Sequence, residues 1–184
     1  MNPKALIEKY YPKDSLAYPL LIAHGKAVAD KAIAIAKHFQ KNNPAIKLNL
    51  KLIEESAMLH DIGVQFVHAP DIGCHGMPPY VCHGYLGAEL LRKEGLPEHA
   101  LICERHVGMG LSKQDIIAQK FSLPHEDMIP ETWEQKIVCF ADKFFSKNTE
   151  YLTKEKPLKE IRESTKKWGQ EKVKLFDEWC KIFL

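Results

Sequence analysis

No stretch of the 184 residues approaches the roughly 20 consecutive apolar positions that a membrane span needs. The opening residues, Met1-Asn2-Pro3-Lys4, soon reach Glu8, Lys9 and Lys13 without the apolar run of a secretion signal. Cysteine is scarce and odd in number. Cys74, Cys82, Cys103, Cys139 and Cys180 are scattered, with no C-x-x-C pair, which excludes a disulfide framework and leads us to expect a reduced, cytoplasmic protein. An excess of either charge is also missing: 26 Lys and Arg less 24 Asp and Glu leave +2, so neither duplex nucleic acid nor an anionic membrane is an expected partner. No alternating strand series, internal repeat, low-complexity tract or linker appears. What is present is an ordinary globular mixture, 45% hydrophobic and 27% charged, of a length that suits one domain over residues 1–184.

Apolar positions recur at helical spacing between proline and glycine punctuation, so the expected class is all-α. Leu20, Leu21, Ala27, Val28, Ala32, Ile35 and Phe39 predict a helix from about Ser15 to Gln40, ended by Asn42, Asn43 and Pro44. Leu52, Ile53, Ala57, Leu59 and Ile62 predict a second over about 50–62, stopped by Gly63. Residues 64–82 hold Pro70, Gly73, Gly76, Pro78 and Pro79 and read as a long loop. Further helices are expected over 83–93, 97–107 and 131–147. The segment 157–184 reads as one or two helices. Leu158, Ile161, Thr165, Trp168, Lys172, Leu175, Trp179 and Ile182 form a heptad-like stripe there, interrupted by Gly169, and packing on the domain's own surface explains it better than a coiled coil.

The nine histidines are the unusual part of the composition. His24 falls inside the first long helix, and His60-Asp61 close the second. His83 opens the helix after the long loop, His106 closes the next, and Asp142 follows the apolar run Ile137–Ala141. A buried imidazole or carboxylate without a partner costs several kcal/mol. Six such groups at helix ends and inner faces can satisfy one another by sharing a cation. Four imidazoles with two carboxylates suit Fe, Mn, Co, Ni or Zn, whereas Mg or Ca would draw more oxygen.

The ordered set His24…His60-Asp61…Asp142 resembles the HD-domain phosphohydrolase superfamily, and His60-Asp61-Ile62-Gly63 matches its H-D-I-G form over a region of about 18–148. The resemblance implies a helical bundle, with 157–184 as an added extension. It also implies a divalent metal held by His24, His60, Asp61 and Asp142. His83 and His106 are similar to the extra histidines of two-metal members, in which Asp61 would bridge the ions. One or two ions are therefore expected, two favoured. Implied with them is a phosphohydrolase that acts on a nucleotide or another small phosphate ester or anhydride through a hydroxide carried by the ions, with Asp61 as catalytic residue. The alternatives are a non-catalytic nucleotide-binding module and a di-iron oxygenase on the same ligands. The expected partner is a small phosphorylated substrate, for a monomer or a homodimer.

One departure from that pattern is Val64, where many H-D-I-G proteins continue with a phosphate-positioning lysine. Arg105 and Lys113 are the expected substitutes, as a fork and a point charge. Lys143 suits an ion pair with a carboxylate. His68 and His75, in the long loop, are candidate proton donors to a leaving group. The dipeptides Cys74-His75 and Cys82-His83 offer four zinc-type ligands, but their spacing fits no standard finger.

Overall fold

Asn2 caps α1 (Pro3–Tyr10) by accepting the Ala5 N–H at 3.2 Å, and Pro3 takes a first-turn position where its missing N–H costs nothing. The computed structural model describes residues 1–148 and 150–184. In it the long apolar stripe becomes α2 (Ala17–Asn42), which buries Leu21, His24, Val28, Ala32, Ile35, Ala36 and Phe39 along one face. Packed across α2 is α3 (Leu50–Leu59). Asn49 caps α3 by accepting the Leu52 N–H at 3.0 Å. Because α3 ends directly at His60-Asp61, Asn49→Ala is expected to cost about 1 kcal/mol, which a denaturant melt reads as a lower midpoint with unchanged slope.

After α3 the chain tightens into a 3₁₀ turn over Ile62–Phe66 and then a hairpin, β1 (His68–Ala69) against β2 (Cys74–His75), with His68 opposite His75. The expected long loop thus carries short turns and a small hairpin, whose two-residue strands are too short to show as alternation. Next come α4 (His83–Lys93) and α5 (Pro97–Arg105), packed on each other. The short α6 (Lys113–Ala118) carries a capping box made by Ser112 and Asp115. Then follows α7 (Trp133–Asp142), packed against α2, α3 and α5. The helix expected to reach Lys147 stops at Asp142 and gives way to turns.

Two helices, α8 (Leu158–Thr165) and α9 (Gln170–Phe183), complete the chain, separated at Gly169, whose φ of +107° disfavours any side chain. The heptad-like stripe is buried only in part, at Ile161, Thr165 and Trp179. Leu158 and Ile182 are 43% and 41% exposed, while Ile161, Val173, Phe176, Trp179 and Phe183 are buried. Phe140 of α7 lies 5.7, 6.3 and 5.5 Å, ring to ring, from Phe176, Trp179 and Phe183, and Phe39 of α2 lies 5.6 Å from Phe183. This aromatic cluster ties α9 to α2 and α7. The class is all-α, with a two-stranded ribbon as its one sheet among the described residues.

Candidate metal centre

Helix ends converge on one buried point. His60 follows α3, His106 follows α5 and Asp142 closes α7, so three helix C-termini, each with a partial negative charge, face it. His24 arrives from the middle of α2 and His83 from the first turn of α4. The approach of α4 depends on Gly63. A Cβ there would lie 2.1 Å from the His83 carbonyl oxygen and 2.3 Å from the Gly87 nitrogen.

Asp61 stands at the centre, 3% exposed, and its two oxygens face different partners. Oδ2 lies 3.2 Å from His24 Nε2 and 3.0 Å from His60 Nε2. Asp142 Oδ1 joins this group, 3.2 Å from His24 Nε2 and 3.3 Å from His60 Nε2. On the other side Oδ1 lies 3.2 Å from His83 Nε2 and 3.7 Å from His106 Nε2, and these two nitrogens are 3.0 Å apart. The six groups thus form two sets that share Asp61, each compact enough for one ion.

Second hydrogen bonds hold the rings in place. His60, His83 and His106 each donate Nδ1–H to a carbonyl three residues back, those of Ala57, Tyr80 and Cys103, at 2.6 Å. Each bond fixes the ring's orientation and turns Nε2 inward. Asp61 Oδ1 has no hydrogen-bond donor, and Oδ2 meets only an ammonium group, that of Lys147, besides the imidazoles. Lone pairs crowded together in a buried site fit a cation.

The electrostatics agree. Burial favours a neutral Asp61, but His60 and Lys147 outweigh it and hold the carboxyl well below its usual range. Asp142 is likewise held low against burial, first by Lys143 and then by His24 and His60. Burial disfavours a charged His60, yet Asp61 and Asp142 push it up to about 10. Burial, with His60 and His83 alongside, keeps His106 neutral. Two ammonium groups also approach the carboxylates: Lys143 Nζ lies 2.8 Å from Asp142 Oδ2, and Lys147 Nζ contacts Asp61 Oδ2. Lys143 is the ion-pair partner expected from its position beside Asp142.

A cavity of about 370 Å³ opens over Asp61, Asp142, His83 and His106, walled by Tyr80, Lys143, Lys147, Lys156, Lys167 and Trp168. Arg105 and Lys113 do not line it. Arg105 donates instead to Glu131 at 2.6 Å and Gln135 at 3.1 Å, and the Lys113 N–H to Asp127 at 2.7 Å. Val64 is fully buried. His68 and His75 are exposed on the hairpin, away from the cavity, so neither is placed to protonate a leaving group. No second zinc-type set exists among the described residues: Cys82 Sγ donates to the Ser122 carbonyl at 3.3 Å, and His83 points to the centre. Among the described residues no helix is long and apolar enough to cross a membrane.

The HD domain family pattern matches residues 21–146. A tRNA (cytidine(56)-2′-O)-methyltransferase of Thermoplasma volcanium is 34% identical over 142 residues, 77% of this chain and 35% of that one. An uncharacterized protein of Methanocaldococcus jannaschii is 35% identical over 123 residues, 66% of this chain and 64% of its own length. The chain thus spans less than two thirds of these relatives. The HD domain of the Listeria monocytogenes phosphodiesterase PgpH superposes with a TM-score of 0.53 at 17% identity, over 96% of this chain and 93% of that domain. Its complex with cyclic-di-AMP gives 0.54 at 18%, over 96% and 92%.

Proposed function

We propose that this chain, which belongs to the HD-domain family, is a metal-dependent phosphohydrolase acting on a nucleotide or another small phosphate ester or anhydride. The observation that carries the reading is the division of Asp61, one oxygen toward His24 and His60 and the other toward His83 and His106. His24, His60, Asp61 and Asp142 would hold one ion, and Asp61, His83 and His106 a second. Such ions, when bound, lower the pKa of a water and neutralise phosphoryl oxygens.

The chain's own groups do the rest. Lys143 keeps Asp142 ionised and turned so that Oδ1 stays with the imidazoles. Lysines along the cavity supply the positive charge for phosphate oxygens that the missing lysine at Val64 cannot. The Phe145 and Val107 side of the cavity limits the water around the reacting group. The cyclic-di-AMP held by the PgpH domain supports a nucleotide as the substrate class. Methyl transfer is not the activity this donor set serves, because clustered imidazoles and carboxylates bind transition metals.

The test is metal analysis of anaerobically purified protein, followed by phosphate release or diester cleavage across nucleotides, dinucleoside polyphosphates and sugar phosphates. Metal-loaded protein that turns over none of them overturns the reading. Metal number is checked by the His83→Ala, His106→Ala double variant. Wild-type protein is expected to hold two ions per chain and the variant one, with activity lower by about 10²-fold or more. One ion in both proteins, with equal turnover, would refute the second site.

A further inference from the structure

Four lysines line the cavity, and its acidic side chains are Asp61 and Asp142 alone. Lys143 and Lys147 each face one of those carboxylates. Lys156 and Lys167 face the cavity with no carboxylate partner among the described residues. Lys156 is half-buried, and its ammonium donates to the Phe145 carbonyl at 2.9 Å. Burial, with Lys143, Lys167 and Lys147 nearby, lowers its pKa despite the pull of Asp142. Lys167 comes from the turn after α8 and lies over the Trp168 ring at 5.2 Å. Trp168 itself packs on the backbone of Gly108, two residues past His106. The extension therefore forms a wall of the cavity, and it brings positive charge that no protein anion neutralises.

Ammonium groups gathered in a part-buried cavity repel one another, and a multivalent anion relieves that repulsion while accepting their hydrogen bonds. Ions at the centre would add to the positive field. We propose that Lys156 and Lys167 form a second anion subsite beside the metal centre, so that the substrate carries a second phosphoryl group besides the one that reacts. The proposal rests on the phosphohydrolase reading and narrows it. A dinucleotide or a nucleoside oligophosphate has the required chemistry, and a simple sugar monophosphate lacks it. Ser164 and Thr165 on α8, whose hydroxyls donate to the Ile161 carbonyl at 2.9 and 2.8 Å, line the same wall.

The experiment measures binding to metal-free protein, which separates the subsite from phosphate–metal contacts. Inorganic phosphate, pyrophosphate and a linear dinucleotide bearing a 5′-phosphate are titrated by calorimetry and by tryptophan emission. Trp133 and Trp179 belong to the aromatic cluster around Phe140 and Phe183, so the optical change is assigned to Trp168 by its loss in Trp168→Phe. Pyrophosphate or the dinucleotide should bind at least about tenfold more tightly than phosphate, and whichever gains more reports the spacing of the two groups. Lys156→Met with Lys167→Met, which keeps the aliphatic packing, should reduce that preference to less than about threefold. Should the double variant melt early, Lys167→Met alone, at an exposed position, must still weaken the preference. Equal binding of phosphate and both larger anions to the wild type, or an undiminished preference in the variants, overturns the proposal. Turnover of a simple phosphodiester by metal-loaded wild type tests the parent reading separately.

Discussion

Asp61→Ala is expected to hold neither ion and to lose turnover by about 10³-fold or more, since every other candidate ligand serves one set and Asp61 serves both. Elemental analysis should show the loss of metal and a rate assay the loss of activity, in the same preparation. The substitution also removes the carboxylate that faces Lys147 and His60 in the metal-free protein. Stripping one member from a buried charged group costs about 3–5 kcal/mol where the rest stay charged, but His60 can shed its proton, so the metal-free melting point should fall by less. Metal added to the wild type should raise the melting temperature, and metal added to Asp61→Ala should leave it where it was. Two ions retained with wild-type turnover in the variant would remove the basis of the functional reading.

Gly63→Ala should be nearly as damaging without touching a ligand. The new methyl group would need space held by the His83 carbonyl and the Gly87 nitrogen, at 2.1 and 2.3 Å, and both are backbone. Relief requires α4 to move away from the turn after Asp61, and His83 moves with it. We expect about 3 kcal/mol or more of lost stability, a melting point lower by roughly 6–12 °C, and loss of the ion assigned to His83 and His106. Gly95→Ala is the contrast. No heavy atom lies within 4 Å of the methyl group it would gain, and the φ of +74° sets the cost at about 1–2 kcal/mol. If Gly63→Ala melted with the wild type and kept both ions, the close packing of α4 on the turn would have no bearing on the site.

The helices that carry the candidate ligands are legible in the sequence because their ends coincide with punctuation. Gly63 follows His60-Asp61, Pro97 opens the helix that His106 caps, and Gly108 comes just after it. The helices α1 and α6 are too short to show a period and are set by their caps, Asn2 and the Ser112–Asp115 pair. Arg105 adjoins His106 in sequence, yet neighbours on a helix point about 100° apart, and its guanidinium turns to Glu131. Lys147, Lys156 and Lys167 look like ordinary solvated lysines among 26 basic residues. Only the return of the C-terminal segment over the centre gives the last two a place in the cavity, and no local pattern encodes that. In α9 the buried face keeps a three-and-four spacing and shares Trp179 with the stripe, but it is turned by one position, from Leu175 and Ile182 to Phe176 and Phe183, whose rings meet Phe140 of α7.

A carboxylate with one oxygen for each imidazole pair has a consequence for how the protein fills. Two cations held there would divide a single negative charge and repel each other across it. The first to arrive would then lower the affinity for the second, and by thermodynamic reciprocity the second would loosen the first by the same factor. Under limited supply such negative cooperativity would spread the metal thinly, so that a population given one equivalent would consist mainly of half-filled molecules rather than a mixture of full and empty ones.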